Sequence, residues 1–188
     1  VSTAQNLGKG TINNSNMKVN MGDMGTLEMH TAGGTSVPGS WDDMMPAANE
    51  ETWNGLTGSG NGGSSPILQA GSNADMFRYS VNVMDGIDLY GSYSPSDGTA
   101  AVEGSTSWGV QYTGIEGLTV GIAQGDNNEK TAATNGNATD SALEIENTAM
   151  FIKYAFDSFT IGMQDNESDS KTTNADTSYR GYGISYAI

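Results

Sequence analysis

Residues Phe77–Tyr93 read FRYSVNVMDGIDLYGSY, and this stretch decides the fold. Phe77, Tyr79, Val81 and Val83 occupy alternate positions, with Arg78, Ser80 and Asn82 between them. After Asp85-Gly86 the period resumes: Ile87, Leu89, Gly91 and Tyr93 oppose Asp88, Tyr90 and Ser92. A period of two gives an extended chain one apolar and one polar face, and Asp-Gly between two such runs is a hairpin turn. The pattern predicts two antiparallel strands, Met76–Met84 and Ile87–Pro95.

The same unit recurs on both sides. Downstream, Ser105–Thr113 and Leu118–Gly125 flank Gly114-Ile115-Glu116-Gly117, and Thr148–Phe156 and Phe159–Gln164 flank Asp157-Ser158. Tyr182, Ile184, Tyr186 and Ile188 form a last alternating run. Upstream, Met17–Met21 and Thr26–Thr31 alternate around Gly22-Asp23-Met24-Gly25. Long polar connections, Ser96–Gly104, Asp126–Asn147 and Asp165–Asp176, join the hairpins at their other ends, and residues 1–16 read as a polar loop. Short turns on one side and long loops on the other describe an up-and-down array of about nine strands, the asymmetry of a membrane-spanning β-barrel.

Composition fits that reading. Only 36% of the 188 residues are hydrophobic and 26 are glycine, so a conventional buried core would be thin. No run approaches the ~20 apolar residues of a membrane helix, whereas a barrel keeps a polar face and averages out in hydropathy. The apolar face carries aromatic residues near both strand ends: Tyr112, Tyr154, Phe156 and Phe159 by the short turns, Phe77, Tyr93, Trp108 and Tyr182 towards the loops. Such two-ended belts mark the two membrane–water interfaces. A soluble or surface-attached β-sandwich, a binding module or adhesin, would share the alternation and remains the alternative. Its apolar face would pack inward.

The net charge of −15, with seven scattered basic residues, excludes a nucleic-acid partner, which needs a basic patch. The absence of cysteine removes thiolate metal sites, disulfides and thiol nucleophiles. His30 is the only histidine, and no G-x-S-x-G elbow accompanies it. The acidic, Asn-rich run Asp126–Asn147 lacks the spacing of a calcium-binding loop. No enzyme activity and no cofactor are expected, and a bound metal is left open.

The long Gly/Ser/Pro-rich segment 32–73 interrupts the hairpins and carries WDDMMPAANEETW at residues 41–53. It places Asp42, Asp43, Glu50 and Glu51 on one loop. By parity Lys18, Arg78 and Lys153 project to the polar side of their strands. Folded into a barrel, the loop would set its acids against those cations and create a charge-dependent passage. Equally open is that the acids are solvated and the cations pair locally with Glu28 or Asp88.

MGDMGTLEMH (Met21–His30) followed by this acidic stretch resembles the segment that leads into the constriction loop of Gram-negative general porins. The order continues through Phe77–Tyr93, Ser107–Asn127 and Met150–Met163, each similar to a porin hairpin. The resemblance implies a trimeric barrel of about sixteen strands, of which this chain would supply a central part, closure coming from further residues. It implies an outer-membrane location and passive diffusion of ions and small hydrophilic solutes. Asp42, Asp43, Glu50 and Glu51 would be constriction acids and Arg78 a wall cation, with Lys18 and Lys153 supported by parity alone. Two features depart from the family: the chain has only two arginines, and His30-Thr31 stands where glycine and arginine are common.

Overall fold

The computed structural model describes residues 2–8, 11–32, 34–41, 44–46, 75–95, 104–130, 142–170 and 176–187. They form one antiparallel sheet of ten strands in chain order. The strands are β1 (Ser2–Gly8), β2 (Thr11–Asn20), β3 (Thr26–Ala32), β4 (Met76–Met84), β5 (Ile87–Ser94), β6 (Ser105–Tyr112), β7 (Leu118–Lys130), β8 (Ala142–Phe156), β9 (Phe159–Ser170) and β10 (Thr177–Tyr186). One short helix, α1 (Val37–Ser40), follows β3.

Every strand pairs with its sequence neighbours, so the topology is up-and-down throughout. The expected turns are present. Gly86 (φ +75°) and Gly117 (φ +77°) take the left-handed backbone that an ordinary residue adopts only with strain. The Gly22-Asp23-Met24 link is a 3₁₀ turn, closed by Met21 N–H donating to the Gly25 carbonyl at 2.9 Å.

Two loop expectations are corrected. Residues 2–8 and 11–16 are strand rather than loop, with β1 and β2 paired from Ser2↔Lys18 to Gly8↔Thr11, so the described residues make ten strands, in keeping with the expected count of about nine. Residues 126–130, 142–147 and 165–170, at the ends of the expected loops Asp126–Asn147 and Asp165–Asp176, are also strand, with β7 and β8 paired as far as Lys130↔Ala142 and β8 with β9 as far as Ile145↔Ser170. A backbone ladder needs no apolar side chains, so strands can continue as polar sequence wherever both faces meet water.

Register fixes which residues share a face. On one face Leu118, Tyr154, Ile161 and Ile184 lie side by side across β7–β10. Val120, Ile152, Met163 and Tyr182 form the next row. These residues stay open: Ile152, Tyr154, Ile161, Tyr182 and Ile184 are all exposed, Tyr182 by 72%. Near the turns, the rings of Tyr154, Phe156, Phe159 and Tyr186 follow one another at centroid separations of 5.8, 5.7 and 4.7 Å. The buried apolar cluster, Val37, Trp41, Ala123, Ala149 and Phe151, lies on the opposite face. A sandwich would bury the apolar face under a second sheet; the described strands make a single sheet that leaves it exposed.

Candidate functional site

Residues 34–41 and 44–46 lie on the polar face and are fastened to it from β4 to β10. The helix begins at Ser36, whose hydroxyl accepts from Gly39 N–H at 3.2 Å, with proline in its first turn. Val37 N–H donates to Ser107 Oγ on β6 at 3.0 Å. From β4, Arg78 Nη2 donates to Ser40 Oγ at 2.8 Å and Nη1 to the Thr35 carbonyl at 3.4 Å.

Trp41 is the apolar anchor, 5% exposed. Its ring meets Tyr90 of β5 and Phe151 of β8 edge-on, at centroid distances of 5.5 and 5.3 Å. Space for it comes from β6: a Cβ on Gly109 would stand 2.6 Å from Val37 Cγ1 and 2.9 Å from Trp41 Cη2. Beyond Trp41, Gln164 of β9 clamps the backbone. Its Nε2 donates to the Trp41 carbonyl at 2.8 Å and its Oε1 accepts from Met44 N–H at 2.7 Å. Met45 and Pro46 then close on the glycines of β9 and β10, where a Cβ on Gly162 would lie 2.8 Å from Pro46 Cδ.

The three cations sit on this same face. Lys18 Nζ is 2.8 Å from Glu28 Oε1, and Glu28 also faces His30 Nε2 at 3.2 Å. Glu28 is the register partner of both Lys18 and Arg78, which joins β2, β3 and β4 in one charged row. The local pairing of Lys18 with Glu28 is therefore present, and it accounts for His30 as a partner of that carboxylate. Lys153 Nζ stands 5.6 Å from the Phe151 ring centroid, within cation–π range. It lines a recess of about 360 Å³ beneath the crossing segment, with Met44, Pro46, Thr119, Thr160 and Ser185. Asp42, Asp43, Glu50 and Glu51 lie outside the described residues. Among the described residues no group of three or more His, Cys, Asp or Glu side chains could hold a metal.

Sequence reading missed Trp41, Gln164, Ser107 and Gly109 as the residues that seat this segment. Two signals were available: Tyr90 and Phe151 are aromatic residues on an otherwise polar face, and neither is needed there unless something apolar lies against it.

A family model described as Gram-negative porin matches residues 9–188. The chain belongs to the Gram-negative porin family. No curated protein matched it. Membership places this porin in the outer membrane of a Gram-negative bacterium, as a transmembrane β-barrel of a family of channels rather than enzymes. The exposed apolar face, with its aromatic rows, is then the lipid-facing side. Residues 34–41 and 44–46 lie against the face turned away from lipid. No described helix is long and apolar enough to cross a membrane; this barrel crosses with strands.

Proposed function

We propose that this porin is a passive diffusion channel for ions and small hydrophilic solutes, working without chemistry or cofactor and assembled as a homotrimer in outer-membrane lipid. Residues 1–188 act as part of a single barrel domain, and 32–73 form the loop that folds into its lumen and narrows the passage. The observation that carries this reading is the fastening of residues 34–41 and 44–46 on the inner face by Trp41, Gln164 and Arg78. A segment held against the wall over this many strands reduces the open cross-section. It also carries Asp42 and Asp43 directly after its anchor residue and Glu50 and Glu51 further along. Arg78 and Lys153 provide the opposing positive wall, with Lys18 partly neutralised by Glu28. Opposed charges at a narrowing make passage charge-dependent, and the acidic excess favours cations.

Reconstitution into a planar bilayer tests the channel and the constriction separately. Discrete conductance steps support the channel; a folded, membrane-inserted protein that passes no current refutes it. Replacing Asp42, Asp43, Glu50 and Glu51 by their amides lowers cation preference. An unchanged reversal potential under a salt gradient removes those acids from the constriction and leaves the channel standing.

A further inference from the structure

Of the described basic side chains, Lys18 and Arg180 make ion pairs, and Arg78 donates to Thr35 and Ser40. Lys153 differs. Among the described residues no carboxylate pairs with it. Its ammonium is half-buried and stands 5.6 Å from the Phe151 ring centroid. Partial burial removes some of the water from the charge, and a ring face replaces only part of it. The ammonium therefore keeps hydrogen-bond donors for the recess that it lines.

That recess lies between the crossing segment and the short turns. Register builds its floor. Lys153 pairs with Thr119 of β7 and Gly162 of β9. Two residues nearer the turn on β8, Ala155 pairs with Thr160 of β9, which pairs in turn with Ser185 of β10. Thr119, Thr160 and Ser185 thus set three hydroxyls around one ammonium. The roof is apolar: Met44, Met45 and Pro46, held by Gln164 and by close approach to Gly162 and Gly183. The enclosed volume is about 360 Å³, within the roughly 300–1,000 Å³ of small-molecule pockets.

We infer that this recess is a saturable site for small organic carboxylates that carry a short apolar tail. The carboxylate accepts from the Lys153 ammonium and from the neighbouring hydroxyls, and the tail lies under Met44, Met45 and Pro46. Charge and shape select the class. Lysine is a compact point charge, suited to one anionic group, and a charge-assisted hydrogen bond fixes that group in place. An inorganic anion would use the ammonium and leave the roof in contact with water, whereas an alkyl tail removes that apolar surface from water. The inference deepens the channel reading and rests on it. The acidic excess favours cations overall, while one class of organic anion is retained on the short-turn side of the narrowing.

Isothermal titration calorimetry of the detergent-purified full chain tests it, with sodium hexanoate and sodium acetate as probes and a detergent blank subtracted. Salt is kept near ~20 mM, where charge is weakly screened. The parent gives saturable heat with hexanoate and binds it about tenfold more tightly than acetate, the effect of burying one to two methylenes. Lys153→Gln weakens hexanoate about tenfold. Ala155→Leu fills the recess from the floor, keeps the formal charge and weakens hexanoate by a similar factor. Arg180→Gln removes a positive charge from the opposite face of the sheet and leaves hexanoate binding as in the parent. Potassium chloride current in a planar bilayer is read separately. A protein that conducts but gives no saturable hexanoate heat overturns the site and leaves the channel standing. Saturable heat in a protein that carries no current supports the site and overturns the channel. Equal affinities for acetate and hexanoate overturn the assignment to tailed carboxylates, since charge alone would then account for binding. Parent-like affinity in both Lys153→Gln and Ala155→Leu also overturns the site, because the ligand then lies elsewhere.

Discussion

Gln164→Met tests how the crossing segment is held. Methionine matches glutamine in length and removes both polar groups, so the side chain still fills its site, where Gln164 is fully buried. The Trp41 carbonyl loses its 2.8 Å donor and the Met44 N–H its 2.7 Å acceptor. A buried backbone group left without its partner costs about 1–3 kcal/mol. Met44 is only half-buried, so water recovers part of its share. The two losses together come to about 2–3 kcal/mol, which raises the population of the detached segment roughly 30- to 150-fold. The strand ladder is untouched, because neither bond belongs to it. In single-channel recordings the variant shows larger current fluctuations than the parent, and limited proteolysis cuts within residues 41–46 faster. Heat stability of the barrel in detergent falls only modestly, through loss of the 3.0 Å bond that Gln164 Nε2 donates to Asn166 Oδ1 within β9. Identical current noise and identical cleavage rates would refute the clamp and leave the segment held by Trp41, Arg78 and Ser107.

Three further outcomes follow from the same geometry. Trp41→Ala removes the ring between Tyr90 and Phe151; truncating a buried aromatic costs about 3–5 kcal/mol, and open-channel conductance rises as the segment leaves the wall. Gly109→Val forces a side chain against Val37 and Trp41; overpacking costs about 1–3 kcal/mol, and solvent quenching of tryptophan emission increases as Trp41 is expelled. Ile152→Arg puts a charge in the middle of the exposed apolar rows; its cost of about 2–4 kcal/mol at mid-membrane lowers the midpoint of urea unfolding from lipid vesicles, while Thr119→Arg on the other face of β7 has a much smaller effect.

The strands from Met76 to Phe159 were legible because lipid on one side and water on the other impose the alternation seen in Phe77–Tyr93. Where that constraint ends, legibility ends. β1 and the outer parts of β7, β8 and β9 continue the backbone ladder in sequence such as Asn127-Asn128-Glu129 that carries no facial signal. The seat of the crossing segment was illegible for a different reason. Val37 reaches Ser107 across 70 residues and Trp41 reaches Gln164 across 123. Such pairings depend on register between distant strands, which local sequence does not encode. The charges were half legible. Parity put Lys18, Arg78 and Lys153 on the inner face, but only the structure separates Lys18, tied to Glu28, from Lys153, which lines the recess under Met44 and Pro46.

The most direct test of the central claim is the current carried by the purified protein in a planar lipid bilayer under a salt gradient. Stepwise insertions of uniform conductance, with a reversal potential of cation-preferring sign, are the expected result. Protein that inserts with its β-sheet content intact and leaves the bilayer insulating would contradict it.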